Sequence, residues 1–260
     1  MSQKIDSARQ LYLHGIRDGH FREAVEANTG ERYTQHSTGV RDGREGFIDF
    51  FEGFIARNPR REIELVRVFE DGTYVFVHAF QSLNAGEARW VTTDLFDTDA
   101  DGKLIEHWDV ISEFVDDTRS GRTQVDGPSE ITDLDRTDEN KRLVRFLVEE
   151  VLIGGKDLPL TDYISADRYD QHNPGVADGL EGFGAYLQQL HDLGGSMTYR
   201  QLHRIVGQGN FVATLSEMEL AGRPMAVFDI WRLEGGRIVE HWDNMEPIPP
   251  REEWANSGKF

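Results

Sequence analysis

Two aspartates stand where a strand does not ordinarily carry them. Asp94 lies in Thr92-Thr93-Asp94-Leu95-Phe96 and Asp229 in Val227-Phe228-Asp229-Ile230-Trp231. Aspartate is disfavoured in strands, and burying it unpaired is expensive, so each needs a partner or a use. One use is proton transfer, because an apolar wall raises a carboxylate's pKa toward working pH. The structural alternative is a tie to an arginine or a backbone turn. Other groups of the right chemistry recur nearby. Tyr33 and His36, and again Tyr169 and His172, fall in Tyr-x-Gln-His blocks. Glu106-His107-Trp108-Asp109 returns as Glu240-His241-Trp242-Asp243. His78 sits alone among Tyr74-Val75-Phe76-Val77-His78-Ala79-Phe80.

These recurrences share one spacing. The Tyr-x-Gln-His block and the Asp42-Gly43-Arg44-Glu45-Gly46-Phe47 that follows it return 136 residues later as Asp178-Gly179-Leu180-Glu181-Gly182-Phe183, while the Glu-His-Trp-Asp block returns at 134 and Asp94 meets Asp229 at 135. A period this long means a duplicated domain of about 115 residues rather than a short-repeat solenoid. The first copy is placed at 5–117 and the second at 136–249, followed by a tail at 250–260 that holds Trp254. Residues 118–135 read as a linker, in a polar stretch with little to bury.

Each copy has the same predicted order. A helix is expected over Ser7–Asp18 and Asp138–Val151, then the Tyr-x-Gln-His block, then a helix opened by Asp-Gly-x-Glu-Gly. There Asp42 or Asp178 with Glu45 or Glu181 suggests a capping box. The stripe Phe47, Phe50, Phe51, Phe54 reads as core. Four strands follow, at about Glu62–Phe69, Thr73–Gln81, Glu87–Phe96 and Leu104–Ile111, and their counterparts near Thr198–Val206, Phe211–Glu219, Arg223–Leu233 and Ile238–Met245. Asp101-Gly102 and Gly235-Gly236 mark the last hairpins. Helices followed by an antiparallel meander predict an α+β domain with helices on one face of the sheet. If Gly235-Gly236 is a plain two-residue turn, Asp229 lies opposite Trp242. Trp108, Trp242, Glu106 and Glu240 then line the site and the histidines face away; a one-residue bulge reverses this.

Composition narrows the classes. With no cysteine, disulfides, thiolate metal sites and cysteine nucleophiles are excluded. No apolar run approaches the roughly 18 residues of a membrane helix, and no signal-peptide order opens the chain. A soluble, cytoplasmic protein is expected. A net charge of −19 disfavours nucleic acid and membrane surfaces as partners. The 24 Asp and 23 Glu against 23 Arg and only 5 Lys suggest a halophilic surface, kept soluble where salt screens its self-repulsion. Metal is not expected, since His107 and Asp109 lie in no His-x-x-x-His or cysteine pairing, and no motif calls for an organic cofactor.

The order of motifs, Tyr-x-Gln-His, Asp-Gly-x-Glu-Gly-Phe and Gly-x-Ile-x-Glu-His-Trp-Asp, resembles the SnoaL-like branch of the nuclear transport factor 2-like superfamily across about 85% of the chain. The resemblance implies two tandem cones, each a bent sheet wrapped on helices around an apolar pocket. It implies that the Asp94 and Asp229 position carries an acid/base carboxylate, that Tyr33, His36, Tyr169 and His172 fall near the pocket, and that His78 matches a histidine common in the branch. Because the second copy has Leu215 or Ser216 there, the first is the better candidate for activity. On these grounds Asp94, Asp229, His36 and His78 are the candidate catalytic residues. Tyr33, Glu106, His107, Trp108, Tyr169, His172, Glu240, His241 and Trp242 are the candidate ligand contacts.

Three functions compete. The first is a cofactor-independent enzyme removing a proton α to a carbonyl, leading to aldol-type cyclisation or isomerisation of a small apolar or carbonyl-containing molecule. The second is a non-catalytic ligand-binding protein or scaffold, in which the fused copies pair as an intramolecular pseudo-dimer, with homo-oligomerisation also open. The third is hydrolysis resembling that of the epoxide hydrolases, which activate water with an Asp-Arg-Asp network. Arg89, the nearest arginine on the Asp94 strand, lies an odd number of residues away and so on the opposite face.

Overall fold

The structure, a computed structural model, describes residues 2–260. It divides into two compact units. The first runs to Glu113 and takes in Pro249–Phe260; the second is Phe114–Ile248. The segment expected to be a linker is thus folded into the second unit, and the tail into the first. Both are held by hydrogen bonds that their polar residues make to loop backbone, a bond type that leaves no periodic signature in sequence.

In the first unit, α1 (Gln3–Gln10) continues without a break into a π-helical turn, Leu11–Arg17, followed by α2 (Phe21–Asn28), β1 (Thr29–Gln35) and α3 (Gly43–Arg57). The meander is β2 (Arg61–Asp71), β3 (Tyr74–Leu83), β4 (Ala88–Thr98) and β5 (Leu104–Glu113), in the sheet order β1-β5-β4-β3-β2. The second unit repeats the plan with α4 (Thr137–Phe146) and its π-helical continuation Leu147–Ile153, β6 (Asp170–Gln171), α5 (Gly179–Asp192), β7 (Met197–Gln208), β8 (Phe211–Leu220), β9 (Arg223–Glu234) and β10 (Arg237–Pro247). Its order is β6-β10-β9-β8-β7. The Tyr-x-Gln-His block, to which no element is assigned above, forms the fifth strand, and β1 and β6 run parallel to the last strand of their sheets. Among the described residues no helix is long and apolar enough to cross a membrane.

The helices pack on one sheet face. In the first unit Ala8, Leu11, Ile16 and Phe47 meet Val75, Val77 and Phe96, all buried. In the second, Val144, Leu147 and Val148 meet Val212, Val227 and Trp231. Burying such side chains is the main favourable term in each unit, at about 1.5–3 kcal/mol apiece. The Asp-Gly-x-Glu-Gly motif has a geometric cause other than a capping box. The carboxylates of Asp42 and Asp178 turn back to accept the backbone N–H of Gln35 and Gln171, both at 2.8 Å. The second glycine makes room: a Cβ on Gly46 would lie 2.4 Å from the Arg41 carbonyl oxygen, and on Gly182 2.2 Å from that of Ala177. The motif therefore pins the start of a helix to the end of the strand that carries Gln35 or Gln171.

Candidate functional site

The registers decide which residues meet. Gly235 and Gly236, both at positive φ, make the two-residue turn between Glu234 and Arg237, but a bulge between Ile238 and Glu240 then shifts β10 by one. Asp229 consequently faces Asp243, and Trp242 faces Ile230. A bulge at Asp97/Thr98 has the same effect in the first unit, where Asp94 faces Asp109 and Trp108 faces Leu95. Directly paired residues share a face, and so do residues two apart. His107 and His241 therefore join the aspartates, whereas Glu106, Trp108, Glu240 and Trp242 point to the other face. The two-residue-turn register is corrected by the extra residue in each bulge.

In the first unit, His107 Nε2 lies 2.8 Å from Asp94 Oδ1 and its Nδ1 lies 2.8 Å from Gln35 Oε1. The ring stacks on Phe96 at 4.5 Å between centroids. Gln35 Oε1 also accepts the backbone N–H of His36 and of Ser37, which fixes the amide orientation and makes His107 Nδ1 a donor. One further proton must lie between Nε2 and Oδ1. The pair is thus imidazolium with carboxylate, or imidazole with carboxylic acid, and neutral as a unit in both forms. Tyr12, from the π-helical turn, donates to Asp94 Oδ2 and lies 3.1 Å from Thr92 Oγ1. Burial, then the Asp94 charge, pushes the Tyr12 pKa well up, so it remains a protonated donor.

Asp94, His107, Gln35 and Tyr12 line a narrow hollow of about 60 Å³ with Asp109, Phe47 and Phe51. Phe50 and Ile111, at 39% and 38% exposure, also line it and so mark its mouth. Gln35 Nε2 and the Tyr33 hydroxyl are buried with no hydrogen-bond partner among the described residues. Asp109 is capped by the ammonium of Lys259 at 3.1 Å. Burial alone would raise the Asp109 carboxyl, but Lys259, His107 and a Ser37 hydrogen bond outweigh it and hold it below the usual range.

The second unit varies the pattern. His241 Nε2 lies 3.1 Å from Asp229 Oδ1 and Nδ1 3.2 Å from Gln171 Oε1, with the ring stacked on Trp231. The tyrosine on Asp229 comes from a different element: Tyr199 on β7 donates at 2.9 Å, while Val148 stands 136 residues on from Tyr12. Asp229 is fully buried and does not line the cavity of about 40 Å³ that His241, Asp243, Gln171, Tyr169 and Trp231 border. Asp243 accepts from Asn173 Nδ2 at 2.7 and 3.0 Å, and no lysine or arginine borders this cavity among the described residues. Burial, with Asp229 adding to it, raises the Asp243 carboxyl against the opposing His241, Asn173 and His172.

Four expected histidine and tyrosine sites take other places. His36 is outside the hollow: Nδ1 donates to the Gly258 carbonyl at 2.7 Å, Nε2 meets Glu106 at 2.9 Å, and the ring stacks on Trp108. His172 does the same with the Thr123 carbonyl at 2.6 Å, Glu240 at 2.9 Å and Trp242. With acceptors on both nitrogens, these histidines anchor the passing segments, and their glutamates and tryptophans belong to that anchor. His78 pairs with Thr93, one residue out of phase with Asp94, so its ring lies on the opposite face beside Arg67 Nη1 at 3.1 Å. Tyr33 stacks on Phe47 and does not border the hollow, whereas Tyr169 borders its own. Tyr12, Tyr199, Gln35, Asp109, Asp243 and Lys259 belong to the two candidate sites and were not singled out as site residues in the sequence. The one available signal was that a core tyrosine must find a hydrogen-bond partner.

A family model for the SnoaL-like domain matches the chain twice, over residues 10–107 and 144–241. The chain belongs to the SnoaL-like domain family and carries two copies in tandem. No curated protein matches it. Similar solved structures include a candidate polyketide cyclase from Bacillus cereus ATCC 10987, at 18% identity and TM-score 0.38, covering 42% of this chain and 74% of that one. A candidate SnoaL-like polyketide cyclase from Jannaschia sp. CCS1 matches at 23% identity and TM-score 0.37, covering 42% and 85%. A LEH-like epoxide hydrolase of M. tuberculosis matches at 18% and TM-score 0.36, covering 42% and 83%.

Proposed function

We propose that the first unit is a cofactor-independent acid–base catalyst that removes a proton α to the carbonyl of a small molecule. The observation that carries this is the chain Tyr12–Asp94–His107–Gln35 at the wall of a hollow, ending in a buried Gln35 Nε2–H that has no acceptor among the described residues. An unsatisfied buried donor costs about 1–3 kcal/mol, which a substrate carbonyl oxygen would recover. Both His107 nitrogens are engaged, whereas each Asp94 oxygen accepts one hydrogen bond and keeps a second lone pair, so in the imidazolium–carboxylate form of the pair Asp94 is the proton acceptor. The substrate Cα–H bond breaks and its proton passes to the Asp94 carboxylate. The electron pair moves to the carbonyl oxygen, where Gln35 Nε2 donates to the enolate. Reprotonation at a different carbon gives isomerisation. Attack of the enolate carbon on a second carbonyl, with Asp94 returning the proton to the new alkoxide, gives an aldol product.

The narrowness of the hollow supports a substrate that inserts only its reacting end, with the remainder at the mouth beside Phe50 and Ile111. Epoxide opening is less well supported, since no arginine borders this hollow among the described residues. Asp229, enclosed by Tyr199, Thr214 and His241, supports a binding role for the second unit instead. The test needs no knowledge of the natural substrate. The protein should accelerate α-hydrogen exchange of a small aryl ketone such as 1-indanone in D₂O, followed by proton NMR. Asp94→Asn should lower that rate by about 10²–10⁴ and Asp229→Asn should leave it nearly unchanged. Exchange no faster than buffer, or undiminished in Asp94→Asn, rules the reading out.

A further inference from the structure

The repeat permits an internal comparison at the second acidic position of each sheet. In the first unit, the segment whose Gly258 carbonyl accepts from His36 places Lys259 directly after it, and the Lys259 ammonium reaches Asp109. In the second unit, the segment whose Thr123 carbonyl accepts from His172 places Gln124 directly after it, and the Gln124 oxygen accepts the Val115 backbone N–H. The two segments make the same contact to their histidine and differ in charge at the residue that follows it. Asp109 has its cation built in. Asp243, at the matching position, is half-buried, borders the cavity and has an uncharged amide as its hydrogen-bond donor.

The aromatic part of that cavity's lining suits a cation. Tyr169, Phe183, Tyr186, Tyr199 and Trp231 border it, an aromatic lining around one carboxylate. Aromatic faces attract ammonium groups through the ring quadrupole, and most strongly when water is excluded. Leu152, Met197 and Met245 extend the lining with apolar, adaptable surface. We infer that the second unit binds an apolar molecule bearing a protonated amine, whose ammonium sits on Asp243 as Lys259 sits on Asp109. This goes beyond the catalytic reading of the first unit and does not depend on it. The upward displacement of the Asp243 carboxyl by burial, which His241, Asn173 and His172 do not offset, accords with a site that has no lysine or arginine on it among the described residues.

The experiment is calorimetric titration of the whole chain with 2-phenylethylamine, against 2-phenylethanol as the neutral analogue of similar shape. The amine should bind at one site, about tenfold or more tighter than the alcohol. Asp243→Asn should erase that preference, and Gln124→Lys, which supplies an internal ammonium, should block the amine. Lys259→Gln should open a second amine site at Asp109, raising the stoichiometry from one to two. Thermal unfolding of each variant verifies that it is folded, and the Gln124→Lys and Lys259→Gln arms read the idea without altering either aspartate. Equal affinity for amine and alcohol, or an amine preference that survives Asp243→Asn, overturns the proposal. So does saturation by Zn²⁺ with no discrimination between the two organic probes, which would make the trio Asp229, His241 and Asp243 a metal site.

Discussion

Asp109 and Asp243 occupy the same place in the two sheets and titrate in opposite directions. Asp109 is held below its ordinary value, so the stability it contributes is present above the unfolded value of about 3.9 and is lost as pH falls through the folded one. Asp243 is raised, so the folded chain binds its proton more readily than the unfolded chain. Stability therefore falls as pH rises from about 4 through the folded value. Asp109→Asn should strand the Lys259 ammonium and cost up to about 3 kcal/mol at neutral pH. Asp243→Asn should be neutral or stabilising there and should remove its part of the pH slope. Urea unfolding between pH 4 and 8 reads both, and equal shifts from the two variants would contradict the assignment. At this scale the sequence displayed the acids and concealed their partners. Asp94 and Asp229 stand out because a strand rejects them. Tyr12 looks like any core residue beside Leu11, and Lys259 lies about 150 residues from Asp109, linked to it only by the fold.

The strands and helices were legible because their causes are local: alternation, Gly-Gly and Asp-Gly turns, and the paired glycines of the α3 and α5 openings. The face of β5 and β10 was not, because it depends on one extra residue in each bulge, and Val239 carries no mark that distinguishes it from a regular strand residue. Nor did periodicity announce β1, whose seven residues pair in parallel with β5 and so bring Gln35 beside His107. The segments read as linker and tail prove to be straps. The tail holds the loop after β1 through Ala255 N–H to the Thr38 carbonyl at 2.8 Å and Asn256 Nδ2 to the Ser37 and Val40 carbonyls at 2.6 and 2.9 Å, besides its Gly258 and Lys259 contacts. Ser37 and Val40 border the first hollow. Deleting residues 255–260 should therefore lower the unfolding midpoint, at about 1 kcal/mol for each hydrogen bond lost, and weaken ketone exchange with Asp94 still in place. A truncated chain with an unchanged midpoint would show that the tail is not a structural strap.

Across the whole chain, duplication has let two copies of one plan diverge while their Asp–His–Gln line stayed the same. The donor to the aspartate stands on the π-helical turn in one unit and on a strand in the other, and the lysine counter-charge is present in the first unit, while Asp243 has an amide donor in the second. That divergence took place within a heavily acidic molecule, with 47 carboxylate side chains against 28 cationic ones. Charges on the surface repel over a Debye length of about 10 Å at 0.1 M salt and about 3 Å at 1 M, whereas a buried pair such as Lys259–Asp109 is screened much less. Raising KCl between those concentrations should therefore relieve surface repulsion while leaving the internal pairs intact. The expected result is an unfolding midpoint that rises by more than about 2 °C, corresponding to roughly 1 kcal/mol for a chain of this size. The Lys259→Gln variant separates the two contributions: it should unfold earlier than the parent at every salt concentration yet show the same rise. A parent midpoint indifferent to KCl would mean that the excess of acids imposes no net strain on the folded state, and the argument for a salt-adapted surface would fall with it.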